Sequence, residues 1–301
     1  MSRIFDALQR SGTEQTGIEY PDMVSVLTEV FEPARQEQPQ IPLEIPSPEM
    51  DLPASLITQA FPEETPASTL AEFPSVEISP LASSRLVFFT QPESLAAEKF
   101  RFLGVKLRQM QQARSLKKLL ITSTIPEEGK SLVCANLAGV LAKRNQKVLL
   151  IEGDLRRPVL AEHFGLGRLA GLAEWLQGHK QKLTNIYHLN GVDFWLMPAG
   201  NPPSNPLELM TSASLQDLAA RLTRFFDWII VDSPPLLPLA DTSIWERVAD
   251  GTLLVTRVGQ TQKSQLKNGL ELIKKANLLG VVLNSCSDAD HDNYYQRYSP
   301  K

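Results

Sequence analysis

Six short apolar runs recur along the last two-thirds of the chain, and they constrain its fold more than any other feature. They are KLLITS (118–123), KVLLIEG (147–153), DFWLMPAG (193–200), DWIIVD (227–232), GTLLVTR (251–257) and GVVLNS (280–285). Between them, at about 130–144, 206–224, 239–248 and 263–276, apolar residues recur with helical spacing. Strands this uniformly apolar need cover on both faces, which a parallel sheet flanked by helices provides. The pattern predicts a three-layer α/β domain with a mainly parallel sheet, about 200 residues long and large enough for its own core. One more amphipathic helix is expected just before it, in ESLAAEKFRFLGVKLRQMQQ, with Leu95, Phe102, Leu103 and Leu107 as its apolar side. Such sheets bind ligands at the carboxyl ends of their strands, so the residues after each run carry the functional argument.

Composition divides the 301 residues unequally. Residues 1–85 hold 11 of the 22 prolines and 14 acidic residues against four arginines and no lysine, a net charge of −10; the remainder carries +6. Prolines at this density exclude helices and central strands. Residues 11–88 are therefore expected to form an acidic, disordered linker. Residues 1–10 read as a short amphipathic segment with Ile4, Phe5 and Leu8 on one side, either a frayed terminus or a segment that docks on a partner or membrane surface. The charge balance argues against a nucleic-acid partner. No run reaches the 18 apolar residues of a transmembrane segment, and MSRIFDALQR lacks the apolar core of a secretory signal. Cys134 and Cys286 are too few for a disulfide framework or a zinc site, and free thiols in a reducing cytoplasm are the simpler expectation.

The first strand run leads through TIPEEGKS into the helical segment SLVCANLAGVLAKR. Alone, Gly129-Lys130-Ser131 is also what a surface lysine at a helix start looks like. At a strand-to-helix junction it becomes a phosphate-loop signal, although Thr124 stands at the first glycine position of GxxxxGK[ST]. Backbone N–H groups at the helix start would face phosphates, Lys130 would bridge the β- and γ-phosphates, and Ser131 would ligate Mg²⁺. The fold expectation sharpens to a three-layer P-loop NTPase. The second run ends in Glu152-Gly153-Asp154, two carboxylates placed to approach a metal and an attacking hydroxyl, or else to cap the turn before Pro158. The fourth run ends in Asp232, the usual position of the second magnesium-side carboxylate.

These elements, TSTIPEEGKS, VLLIEGDLRRP, MPAGNPPSNPLEL, FDWIIVDSPPLLPLAD and GVVLN, resemble in order those of the bacterial tyrosine kinases (BY-kinases) of capsule and exopolysaccharide systems, within the wider MinD/ParA-like ATPases. The resemblance covers about residues 92–301. It implies an ATP- and Mg²⁺-dependent protein-tyrosine kinase domain at 89–288, with Lys130, Glu152, Asp154 and Asp232 as catalytic residues. It implies nucleotide contacts from Thr124, Glu128, Gly129, Lys130, Ser131, Leu132 and Asn284, and Mg²⁺ held by Ser131, Glu152 and Asp232. Asn284 matches a position that contacts adenine, and an amide closing a turn is the other reading of it. Three of the five tyrosines, Tyr294, Tyr295 and Tyr298, lie in the last eight residues, and in this family a tyrosine-rich tail (here 289–301) is the phosphoacceptor. A separate transmembrane polysaccharide co-polymerase would be the activator, recruiting a cytoplasmic chain to the inner face of the membrane, and a homo-oligomer is implied.

Three positions depart from the family's pattern. Glu127 stands where glycine is common, Glu152 where aspartate is common, and the oligomer-interface pattern ExxRxxR reads Glu98, Arg101, Gly104. A loop glycine often has positive φ, where another residue costs about 1 kcal/mol or more. The alternative function is a MinD/ParA-like ATPase switch, or an inactive kinase-like regulator, acting by partner binding.

Overall fold

The computed structural model describes residues 70–80, 84–178, 183–210, 212–237, 241–273 and 277–285. The segment 1–10, most of the acidic segment, Cys286 and the three tail tyrosines lie outside the described residues. In chain order the elements are β1 (Ser75–Glu77), α1 (Val87–Thr90), α2 (Leu95–Ala113), β2 (Lys118–Ser123), α3 (Lys130–Ala142), β3 (Val148–Glu152), α4 (Leu160–His163), α5 (Leu172–Gln177), β4 (Tyr187–Asn190), β5 (Phe194–Met197), α6 (Pro206–Leu209), α7 (Ser212–Leu222), β6 (Trp228–Asp232), α8 (Asp241–Glu246), β7 (Gly251–Arg257), α9 (Lys263–Leu272) and β8 (Leu278–Asn284).

Eight strands form one sheet in the order β1-β4-β5-β3-β6-β2-β7-β8. All neighbours are parallel except β4 and β5. Alternation along the central strands divides the core between the two faces. Leu119, Ile121, Val148, Leu150, Trp228 and Ile230 pack on one face with residues of α1, α2 and α3. Leu120, Leu149, Ile151, Ile229 and Val231 pack on the other with α5, α7 and Trp245 of α8. This is the expected three-layer α/β architecture. Among the described residues no helix is long and apolar enough to cross a membrane.

The folded unit begins earlier than composition predicts. Within the expected linker 11–88, a single 3₁₀ turn (Leu70–Glu72), β1 and the start of α1 are ordered. β1 lies at the sheet edge beside β4, the one place where flanking prolines such as Pro74 and Pro80 interrupt no central ladder. Phe88 of α1 packs directly on Gly139 of α3, where a Cβ would sit 2.1 Å from the ring. The helix expected at 206–224 is divided into α6 and α7, with Met210 as the α6 C-cap. Short β4, α4 and α5 had no distinct apolar signature.

Candidate functional site

β2, β3 and β6 are neighbours in the sheet, so their carboxyl ends converge. From β2 the chain turns through residues 124–129 into α3. No side chain caps the start of α3; Gly129 occupies the cap position with φ 90°. The N–H groups of the first turn therefore lack a side-chain acceptor, and with the helix dipole they form an anion-binding cradle. A Cβ on Gly129 would sit 2.1 Å from Asn284 Nδ2, which donates to the Glu128 carbonyl at 2.8 Å. Asn284 thus closes a turn between β8 and the loop. Its Oδ1 accepts from the Ser285 N–H.

Glu128 points away from the cradle. Its carboxylate accepts from the Ile125 N–H at 2.9 Å and from the hydroxyls of Thr256 and Thr261, tying the loop to the end of β7. Only its main chain is left to face a ligand. Thr124 is fully buried, with its hydroxyl unpartnered and α9 packed close at Gly269, where a Cβ would sit 3.1 Å from Thr124 Cγ2. Leu132 is half-buried in the first turn and packs on the α2 side of the core. Glu127 has φ 66°.

Lys130 is the centre of the cluster. Its Nζ lies 3.0 Å from Asp154 Oδ2, 3.5 Å from Asp232 Oδ1 and 3.4 Å from Ser131 Oγ. Burial would lower its pKa, but the charges of Asp232 and Asp154 outweigh that and hold it above its usual value. Asp232 is 1% exposed, and among the described residues its carboxylate oxygens have no hydrogen-bond partner beside the 3.5 Å ion pair with Lys130. Burial pushes its pKa up, and Lys130 and Ser131 offset this only in part. Burial likewise raises the Cys134 thiol, next to Asp232 on α3. A buried carboxylate whose one ion-pair partner, Lys130, is shared with Asp154, set beside a hydroxyl, is a hard oxygen donor set; it fits Mg²⁺, which takes one or two protein oxygens and keeps waters and phosphates for the rest.

The two carboxylates at the end of β3 have different surroundings. Asp154 Oδ1 caps the following turn through the N–H groups of Arg156 and Arg157, while Oδ2 faces Lys130. Glu152 instead has both oxygens on main-chain donors: Oε1 accepts from Val159 and Leu160 at 2.5 Å, and Oε2 from Ala199 at 3.0 Å. Burial still pushes its pKa up against those hydrogen bonds. The structure therefore gathers Lys130, Ser131, Asp154 and Asp232 and gives Glu152 to the frame.

Three supports were not singled out from sequence. Asp241, 1% exposed, holds Arg156 at 2.6 and 3.2 Å. Trp245 crosses the β3 end so closely that a Cβ on Gly153 would meet its ring at 2.9 Å. Thr256 and Thr261 anchor Glu128. Of these only Asp241 had a signal, as the acid that follows DSPPLLPLA at the start of a helix.

The fold and cradle define a P-loop nucleotide-binding domain. Residues 119–298 match the CobQ/CobB/MinD/ParA nucleotide binding domain. The chain is similar to tyrosine-protein kinase YwqD of Bacillus subtilis, 35% identical over 211 residues that cover 69% of this chain and 89% of that protein. It is 30% identical to the putative tyrosine-protein kinase CapB of Staphylococcus aureus over 217 residues, 71% of this chain and 95% of that one. The solved kinase domain of the Escherichia coli tyrosine kinase ETK superposes with a TM-score of 0.63 at 30% identity, covering 68% of this chain and 82% of that one. The chain belongs to the bacterial tyrosine kinase family, the BY-kinases, within the CobQ/CobB/MinD/ParA group.

Proposed function

We propose that the chain is an ATP-dependent protein-tyrosine kinase that phosphorylates Tyr294, Tyr295 and Tyr298 of its own C-terminal segment. In this reading it regulates exopolysaccharide or capsule polymerisation or export from the cytoplasmic side of the membrane, with a separate transmembrane co-polymerase as activator. In this reading the kinase domain runs from residue 70, where the described fold begins, to 288, and 289–301 is its tail. The observation that carries the reading is the Lys130–Asp154–Asp232 cluster at three converging strand ends. The names of the relatives support the reaction class.

The α3 N–H groups would bind the β-phosphate, and Lys130, held between two carboxylates, would turn towards the β/γ bridge. Ser131 and Asp232 would hold Mg²⁺, whose bound charge neutralises the phosphate oxygens. As the phenolic oxygen bonds to the γ-phosphorus, the bond to the β–γ bridging oxygen breaks and ADP leaves. Asp154 Oδ2, freed as Lys130 engages phosphate, would accept the phenolic proton. Glu152, filled by three main-chain donors, keeps β3, α4 and β5 in register around that event.

Purified full-length chain with ATP, Mg²⁺ and the activator's cytoplasmic segment should accumulate phosphotyrosine. Lys130→Met should abolish the signal, and replacing the three tail tyrosines by Phe should remove it from the chain itself. A signal unchanged in the triple variant would overturn tail phosphorylation. A second reading is a nucleotide switch acting through partners, favoured by one observation, the withdrawal of Glu152 from the cluster. ATP turnover without phosphotyrosine would select it.

A further inference from the structure

At the C-terminal end of α3, opposite the phosphate loop, a cavity of about 190 Å³ lies between α1, α2 and α3. Arg101 and Arg108 of α2, Lys143 and Arg144 just beyond α3, and Phe88 of α1 line it, and no carboxylate does. Arg101 is already neutralised by Glu98 and donates to the Pro92 carbonyl. Lys143 is tethered by its Nζ to the Phe88 carbonyl at 2.9 Å, which fixes its place without compensating its charge.

Arg108 is the informative member. Its Nη1 is buried and, among the described residues, has no hydrogen-bond partner. Burial and the nearby Arg144 charge both push its pKa down, so the pocket holds two guanidinium groups in mutual repulsion. Gly104 makes the room for this: a Cβ there would lie 3.7 Å from Arg108 Nη1 and 3.1 Å from Val140 Cγ1. Position 104 is where the sequence pattern lacks an arginine, and the guanidinium over it comes from one helical turn further along the same face.

A cavity lined by four cations, of which, among the described residues, only Arg101 is paired with a carboxylate, and by no acid is complementary to a small anion. We infer that this cavity is a binding site for a phosphoryl oxyanion, with Arg108 and Arg144 as the direct ligands and Lys143 supplying further charge. The planar guanidinium fork matches phosphate oxygens, and the volume is several times what one water requires. The 13 residues of α3 place the site about 20 Å from the nucleotide loop. It is therefore separate from the subsite of the nucleotide's own phosphates, and it does not depend on kinase activity. The phosphoryl group can come from free phosphate or from a phosphorylated side chain, which present the same oxygens.

The test is nuclear magnetic resonance on the ¹⁵N-labelled full chain, following the side-chain Nε–Hε signals of Arg108 and Arg144 during titration with inorganic phosphate. A saturable shift with a low-millimolar midpoint is expected, and it should weaken at least about tenfold in Arg108→Gln and in Arg144→Gln. Arg144 is exposed, so its variant tests the site even if loss of Arg108 perturbs folding. Arg224→Gln, an exposed cation elsewhere, should change nothing. A parallel titration with O-phospho-L-tyrosine separates the sources: tighter binding than phosphate identifies a phosphorylated side chain, and equal or weaker binding identifies the free anion. Shifts confined to the amides of Gly129–Ser131, absence of saturation, or indifference to both arginine substitutions would overturn the site.

Discussion

Glu152 and Asp154 are separated by one glycine at the end of the same strand, yet they belong to different regions of the molecule. Glu152 looks towards β5 and α4, where three main-chain N–H groups occupy its oxygens. Asp154 looks towards α3, where one oxygen caps a turn and the other meets Lys130. The difference teaches that chemistry at this strand end depends on which acceptor capacity the backbone leaves over. A carboxylate whose lone pairs already receive main-chain donors stabilises geometry, whereas one facing a movable ammonium can exchange partners during a reaction.

The comparison breaks most visibly at Lys130. Lys130→Met removes the cation shared by Asp154 and Asp232, and phosphotyrosine formation should fall by at least about 10²–10³-fold, the scale of losing one preorganised electrostatic contact. Quantitative anti-phosphotyrosine detection checks it.

On the other side of the comparison, Glu152→Gln keeps one acceptor oxygen but sets an NH₂ against a main-chain donor. The expected loss is about 1–3 kcal/mol of stability, the cost of a buried unsatisfied group. Denaturant unfolding reads it, and a change under about 0.5 kcal/mol, the range of an ordinary surface substitution, would mean that Glu152 is not a frame residue.

Asp232 sharpens the contrast through pH. Its folded pKa lies above the ordinary aspartate value of 3.8. The ionised form is thus disfavoured by folding, and the penalty is absent below about that value, grows as pH rises towards the folded pKa, and is constant above it. Asp232→Asn should therefore equal the wild type in stability near pH 4 and exceed it at pH 8, by a few degrees in Tm at about 2–4 °C per kcal/mol. Nucleotide binding in the presence of Mg²⁺ should weaken in the same variant. Thermal scans across pH decide the sign.

The smallest effect lies in the loop itself. Glu127 is exposed with φ 66°, so Glu127→Gly should stabilise by up to about 1 kcal/mol, and phosphorylation should not fall. A loss of stability in chemical denaturation would show that the Glu127 side chain contributes more than its backbone strain costs.

The central strands were legible because their apolar runs are continuous, and KLLITS and GTLLVTR coincide with β2 and β7 residue for residue. β1 and β4 were not, since strands of three or four mostly half-exposed or exposed residues, at the sheet edge and next to it, carry little apolar signal. At the site, the loop and the two aspartates could be read from strand-to-helix context. The role of Glu152 could not. It depends on where the N–H groups of residues 159, 160 and 199 fall, and that is set by the β3–β5 register that pairs Ile151 with Met197. Nothing in the sequence pairs Arg156 with an acid; the fold brings Asp241 to it from 85 residues away.

The most direct test sets the two β3 carboxylates against each other. Phosphotyrosine formation by Asp154→Asn and Glu152→Gln would be compared with the wild type at a temperature where all three are folded, with nucleotide affinity measured alongside. The account predicts a loss of about a hundredfold or more for Asp154→Asn with nucleotide still bound, the scale of a missing general base, and less than about tenfold for Glu152→Gln. The reverse order, with Asp154→Asn active and Glu152→Gln silent though folded and nucleotide-bound, would contradict it.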